Sequence, residues 1–319
     1  MSLDRLELVP RRYTGFCHQA LLYAGDAEFT AATSAFVREG LEAGESILVA
    51  VGKAKIDALR EGLGSDAREV EFVDMQQLGL NPARIIPAWR DFLEHRGGSG
   101  HGVRGVGEPI WSGRSPAQLV EAQRHESLLN VAFQGSGDWA LLCPYDVSAL
   151  PEAVITEARR SHPVLRSQGM EVASETSDPE TMADAHLTAP LPEPAVRPHR
   201  LEFGLRELQA VRQLVETVAN GAGMGRDRAW DLVLAAGEVA TNSVVHGGGT
   251  GVLMVWVEAG GVVCEIRDRG RVSDPLVGRE RPGLETGGRG VWMVNQLCDL
   301  VQIRVFATGT VVRLHMAVA

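Results

Sequence analysis

Five prolines (Pro179, Pro190, Pro192, Pro194 and Pro198) fall between Ser174 and His199, among Asp, Glu, Ser, Thr and Ala residues that offer little to bury. Packing cannot offset the ordering entropy of such a segment, and clustered prolines hold it extended. The stretch therefore divides the chain. A length of 319 residues leaves enough sequence on each side for a separate core. The expected organisation is a domain over residues 1–173, a Pro-rich linker over 174–199 and a second domain over 200–319. Hydrophobic content of 45% and charged content of 23% are ordinary globular values, which argues against a disordered or fibrous chain.

Upstream of the linker, helical periodicity alternates with short apolar runs. Glu28–Ala43, Lys53–Leu63, Ala83–His95, Ala117–Phe133 and Pro151–Ser161 read as helices. Between them, Ser46–Gly52, Glu69–Met75, the run GVRGVGEPIW and Trp139–Asp146 read as strands. This alternation predicts an α/β domain, a parallel sheet with helices on both faces. Downstream, two long helical patterns (Gly204–Asn220 and Arg226–His246) precede strands at Gly251–Glu258 and Val262–Asp268. A stretch rich in Gly, Pro and Arg follows, then a helix at Arg289–Leu297 and strands at Leu300–Ala307 and Thr310–Ala317. Helices segregated from mostly antiparallel strands predict an α+β sandwich.

A net charge of -10 argues against direct nucleic-acid binding, which needs a cationic surface to displace counterions from phosphates. The four cysteines Cys17, Cys143, Cys264 and Cys298 are too scattered for a zinc spacing or a disulfide framework and read as reduced structural thiols. MSLDRLELVPRRY lacks the apolar core of a secretory leader, and no run is long enough to span a bilayer. The expectation is a soluble cytoplasmic protein with no membrane association.

The second domain holds a chemically pointed constellation. Within DLVLAAGEVATNSVVHGGG, Glu238 and Asn242 stand one helical turn apart in a run that is otherwise almost wholly apolar. Each needs a partner to offset its desolvation. Asp268-Arg269-Gly270 ends a strand, and Gly287-Gly288-Arg289-Gly290 leads into a helix. Each piece has an ordinary structural reading: a satisfied polar pair, a turn, or glycines that ease packing. The helix start is also a ready anion site, because its backbone N–H groups lack intrahelical partners.

In their order and spacing, and with Gly309-Thr310 in the last strand, these pieces resemble the boxes of the Bergerat-fold (GHKL) ATPases. With Ser243-Val244-Val245-His246-Gly247 directly after the asparagine, the stretch from about Arg200 to Ala319 is similar to the anti-sigma-factor serine kinases. The resemblance implies ATP and Mg²⁺ as cofactors, with Asn242 as the metal ligand and Glu238 as the catalytic carboxylate. It also implies that Asp268 fixes the adenine amino group with help from Thr310, and that Gly270 lets the backbone approach the base. Arg271 to Gly287 becomes a mobile lid, and Gly288 and Gly290 offer amides to the phosphates. Arg289 and His246 read either as phosphate neighbours or as a solvated surface arginine and a helix-terminal histidine. One departure stands out: Val272 occupies the place of the second glycine of Asp-x-Gly-x-Gly.

In the first domain, Lys53 follows the strand SILVAVG, but the Gly-x-x-x-x-Gly-Lys-Ser/Thr of a phosphate loop is missing. The motifs HQALLY (18–23), GLEAGE (40–45), GEPIW (107–111), ESLLN (126–130) and LCPYD (142–146) resemble the MEDS sensory domain, a RecA-like module, over roughly Gly15 to Pro163. His18, Glu108, Trp111, Glu126 and Tyr145 are its candidate ligand-facing residues, expected to converge at the carboxyl ends of the strands; each also reads as a satisfied core residue.

The two resemblances together imply a transcription regulator in which a sensory domain, open to a small-molecule signal, controls an ATP-binding anti-sigma factor. That factor would have serine kinase activity toward a STAS-domain anti-sigma antagonist and would bind a sigma factor, as a homodimer. An ATP-dependent interaction module without catalysis is the alternative. A sensor histidine kinase is a third reading; it would need a phosphoacceptor histidine on a helical hairpin, and the Pro-rich segment before the ATPase stretch holds only His186 and His199.

Overall fold

The computed structural model describes residues 14–97, 102–167, 169–282 and 289–318. The chain separates into two compact units. Residues up to 77, 89–113 and 129–178 form the first; 78–88, 114–128 and 179–319 form the second.

The first unit is built on a seven-stranded sheet, in the order β3-β2-β4-β5-β1-β6-β7. Its strands are β1 (Phe16–Tyr23), β2 (Ser46–Val51), β3 (Val70–Asp74), β4 (Val103–Gly107), β5 (Trp139–Asp146), β6 (Val164–Ser167) and β7 (Met170–Ala173). All neighbours are parallel except the β6–β7 hairpin. Helices α1 (Gly25–Glu42) and α2 (Lys53–Leu63) follow β1 and β2, α4 (Ile85–Arg96) precedes β4, and α5 (Pro116–Ala132) precedes β5. A short α3 (Met75–Leu78) follows β3, and α6 (Glu152–Ser161) follows β5. One core is made by Phe29, Phe36 and Val37 of α1 with Leu21, Val49, Val51, Val106 and Leu142 of the strands. At Gly105 a Cβ would fall 2.7 Å from the Trp89 ring, so glycine is required for that indole to lie on the sheet.

The mixed α/β order agrees with the alternation in the sequence, with two additions. Strand β1 has no clean apolar run because His18 and Gln19 interrupt it, yet six of its eight residues are buried. The β6–β7 hairpin carries little apolar signal, and all four residues of β7 are exposed.

The second unit holds a five-stranded antiparallel sheet, in the order β11-β12-β10-β9-β8. Its strands are β8 (His199–Phe203), β9 (Gly251–Glu258), β10 (Gly261–Asp268), β11 (Leu300–Phe306) and β12 (Gly309–Ala317). Helices α8 (Leu208–Gly221), α9 (Arg226–His246) and α10 (Arg289–Leu297) supply the rest of the core. Val211 and Val215 of α8 pack with Leu232, Ala236 and Val239 of α9 against Leu253, Val255, Cys264, Ile266 and Leu314 of the sheet. The other face of this sheet is polar yet buried. Glu265 pairs with Arg313 across the β10–β12 register and also accepts from Arg267, and Arg313 lies 5.2 Å from the Trp256 ring centroid.

The stretch 174–199 was expected to be extended; instead it contains helix α7 (Pro179–Thr188), which buries Met182 and Ala183. Pro179 is tolerated because it opens the helix, where its missing N–H has no intrahelical role. The next proline comes only at Pro190, so the prolines bracket the helix. Beyond it, the Ala189 and Pro192 carbonyls accept from Arg304 and Arg313.

His315 of β12 is half-buried with Nε2 3.0 Å from Gln302 Oε1, and desolvation, aided by the Arg313 charge, holds its imidazole down at about 4. The unfolded chain therefore binds a proton between about pH 6.5 and 4 that the folded chain does not. Stability should fall as pH drops through that window, by about 3 kcal/mol in full. Urea unfolding at pH 7 and pH 4.5 checks this: His315→Gln should flatten the dependence, and an equal slope in both proteins would refute it.

Candidate functional site

Helix α9 runs from Arg226 to His246 with nine residues buried, and its remaining face turns Glu238, Asn242 and His246 to a cavity of about 630 Å³. Strand β10 brings Asp268 and Gly270 to the same cavity, the start of α10 brings Arg289 and Gly290, and β12 brings Thr310. Eight of the nine residues singled out from sequence thus line one hollow. The ninth, Gly288, lies outside the described residues, as does the 283–287 part of the expected lid.

Asp268 is fixed from two sides. Ser243 Oγ, one residue past Asn242 on α9, donates to Asp268 Oδ2 at 2.6 Å, and Gly270 N–H donates to Oδ1 at 2.8 Å. Each carboxylate oxygen has a second lone pair, so Asp268 can still accept from a ligand while its rotamer is locked. Thr310, almost fully buried, donates to Gly270 O at 2.8 Å. Arg269 N–H donates to Gly247 O at 3.1 Å, which binds the end of α9 to the end of β10. The backbones are so close that a Cβ on Gly247 would lie 2.5 Å from Asp268 Cγ, and one on Gly309, where φ is +140°, would overlap the Asp268 carbonyl oxygen. Ser243 and Gly247 belong to the motif read from sequence but carry no assigned role there, because only strand register reveals what they touch.

Glu238 is half-buried and sits against the first turn of α10: a Cβ on Gly290 would overlap its carboxylate. A carboxylate there complements the N-terminal end of the helix dipole. The rest of the wall is apolar, with Val239, Val277, Val291, Val294, Ile303 and Val312. Val272 also lines the cavity. Among the described residues only Ala259 combines a side chain with positive φ, so the backbone at Val272 does not need a glycine. Arg289 and His246 are exposed at the mouth.

This lining suits a purine nucleotide with a divalent cation. A held carboxylate can accept from an amino group, valine and isoleucine side chains can cover a flat ring, and a carboxamide oxygen and a carboxylate stand one turn apart for a hard cation and a hydroxyl.

The lid stretch is irregular where it is described, and it is anchored. Asn295 Nδ2 donates to Gly278 O at 2.8 Å, and Arg279 is buried facing Glu121 at 3.7 Å. Arg84 closes the other end of α10, donating to the carbonyls of Asn295, Gln296 and Cys298 at 2.9, 2.8 and 2.7 Å. Arginine at a helix C-terminus satisfies carbonyls that have no intrahelical partner.

The candidate ligand residues of the MEDS-like stretch do not all converge. Glu108, just past β4, is buried with Lys55 of α2 ion-paired to it and Tyr23 OH donating at 3.3 Å. Burial raises its carboxyl, and Lys55 opposes that rise. His18 lies near the opposite end of its strand, beside Cys143 and His162. The expectation of one cluster at the carboxyl ends therefore fails for His18. Tyr145 is buried against His162, Glu126 is buried on α5 and Trp111 is half-buried. Among the described residues, no helix is long and apolar enough to cross a membrane.

A family model described as "MEDS: MEthanogen/methylotroph, DcmR Sensory domain" matches residues 17–163. A second, "Histidine kinase-like ATPase domain", matches residues 201–316. No curated protein matches the chain. Among solved structures, the RsbU and RsbW domains of Rv1364c from Mycobacterium tuberculosis align at 21% identity and a TM-score of 0.30, over 38% of this chain and 32% of that one. The chain therefore covers about a third of that relative's length. The histidine kinase AdeS of Acinetobacter baumannii aligns at 11% identity and a TM-score of 0.24, over 39% of this chain and 69% of that one. The chain thus joins an N-terminal MEDS domain to a C-terminal histidine kinase-like ATPase domain of the GHKL type.

Proposed function

We propose that the second unit is a Bergerat-type site for Mg·ATP, and that the protein is a cytoplasmic regulator with serine kinase activity toward a STAS-type anti-sigma antagonist. In this reading it also binds the cognate sigma factor, and the MEDS domain, a RecA-like module, sets the output in response to a signal. The observation that carries the nucleotide site is the meeting of Glu238, Asn242, Asp268, Gly270, Gly290 and Thr310, from four elements, on one cavity. Asp268 would accept from the adenine amino group while Ser243 and the Gly270 N–H hold it in place. Asn242 would give its amide oxygen to Mg²⁺, and Glu238 would orient and deprotonate the attacking hydroxyl. The bound group supplies the transferable phosphoryl; the chain supplies position and charge. Arg289 and Gly290, at the start of α10, would face the phosphates.

The retained Glu238 favours a kinase. The valine at 272 favours the second reading, a nucleotide-dependent interaction module without transfer. A histidine kinase has less support, because His186 lies on the ten-residue α7 and His199 opens β8, with neither on a long helix.

Binding to the folded state alone raises stability by mass action, by about 2.7 kcal/mol at a hundredfold excess over Kd. Millimolar Mg·ATP should therefore raise the melting temperature of the wild-type chain by several degrees. Asp268→Asn, which turns an N–H₂ toward an amino donor, should remove most of that rise and alter the ligand-free melting temperature far less. No nucleotide-dependent rise in the wild type would end the proposal.

A further inference from the structure

We propose that the first unit contains a zinc site whose protein ligands are His18 Nε2, Cys143 Sγ and His162 Nε2. His18 on β1 and Cys143 on β5 lie on adjacent parallel strands, two residues apart in register and on the same face, since His18 pairs with Leu141 and Ala20 with Cys143. His162 stands just before β6, the neighbour of β1 on its other side. Three adjacent strands thus bring together residues that are far apart in sequence.

The ligand atoms lie within 4.8 Å of one another, and His18 Nε2 is 3.3 Å from Cys143 Sγ. Nitrogen and sulfur ligands at ordinary zinc bond lengths are separated by about 3.5 Å around a tetrahedral ion. Small side-chain rotations therefore bring all three to bonding distance. The three side chains are at most 1% exposed.

The surrounding hydrogen bonds fix which nitrogen faces inward. Asn130 Nδ2 donates to Ser161 O at 2.9 Å, which leaves its Oδ1 toward His18 Nδ1 at 3.3 Å. That oxygen can only accept, so His18 carries its proton on Nδ1 and its lone pair on Nε2. His162 repeats the arrangement, with Nδ1 2.8 Å from the Ala158 carbonyl oxygen. Imidazoles that donate from one nitrogen to a carbonyl and turn the other to a shared centre are arranged as metal ligands are. A thiolate with two neutral imidazoles is a borderline-soft set, suited to zinc and unsuited to Mg²⁺ or Ca²⁺. The thiol loses its proton to solvent on binding, as metal ligation by cysteine requires.

The test uses the full chain, stripped with a chelator under reducing conditions and then titrated with Zn²⁺ or Co²⁺. Metal content after gel filtration and the near-ultraviolet thiolate-to-cobalt absorption are the readouts. The expected result is about one zinc per chain and a charge-transfer band that Cys143→Ala abolishes and Cys17→Ala leaves intact. Asn130→Ala, which removes the acceptor of His18 Nδ1 along with the bond to Ser161 O and leaves all three ligands in place, should weaken zinc binding about 10–100-fold. His162→Gln should lose metal while remaining folded by circular dichroism. A folded wild-type chain that takes up no zinc, or a Cys143→Ala chain that retains its full zinc and cobalt band, would overturn the assignment and leave an ordinary hydrogen-bonded core.

Discussion

Glu238→Gln should lower phosphoryl transfer to a serine-bearing antagonist by about 10²–10⁴-fold, the usual contribution of a positioned general base. The substitution retains the shape that packs against Gly290 and removes only the capacity to take a proton. Asp268, Ser243 and Thr310 are untouched, so Mg·ATP should still raise the melting temperature as in the wild type. Glu238→Ala should lose transfer to the same extent, with a further stability loss of about 0.3–1 kcal/mol because a carboxylate leaves the start of α10. Single-turnover transfer from labelled ATP, run beside thermal melts, separates the two effects. Unchanged transfer in Glu238→Gln would remove the residue from the chemistry. A wild type that binds nucleotide but transfers nothing would select the interaction module.

Much of this site could be read from sequence because its determinants are local. An i,i+4 pair in a helix shares a face wherever the helix lies, so Glu238 and Asn242 were placed together before any fold was known. Asp268 and Gly270 at a strand end, and Gly290 at a helix start, are equally local statements. What holds Asp268 is not local: Ser243 reaches it across 25 positions, and nothing in the run Asn242-Ser243-Val244 marks that serine. The same limit hid the His18, Cys143 and His162 cluster. Cysteines and histidines at irregular spacings look scattered until parallel strand pairing brings them together. The helix α7 was missed for a different reason, since proline count outweighed proline position. Strand β1 was missed because polar residues in a doubly buried strand break the apolar run on which a sequence reading relies.

Glu121→Gln should destabilise the second unit by about 3–5 kcal/mol, the cost of leaving buried charge without its counterion. Glu121, on α5, has a side chain 1% exposed, with Arg304 Nη2 at 2.7 Å. Arg124 and Arg279 each approach it at 3.7 Å, and all three arginine side chains are at most 4% exposed. One carboxylate therefore faces three guanidinium groups. Burial, with the neighbouring Arg124 charge, pulls Arg279 down to about 9, which still leaves it charged at neutral pH. Glutamine preserves the volume, so the loss reads charge and not a cavity. Removing one cation as well, in Glu121→Gln with Arg279→Leu, should restore part of the stability, because replacing a buried ionic group by an apolar one of similar size is often neutral. The change should also reach the nucleotide pocket. Val277 lines the cavity, and the two residues after it are held by Asn295 and Glu121. Freeing Arg279 loosens one of these anchors, so the stabilisation by Mg·ATP should shrink in Glu121→Gln although Glu121 is absent from the cavity lining. Urea unfolding with and without nucleotide measures both effects, and an unchanged midpoint would mean that water or another group compensates the three arginines.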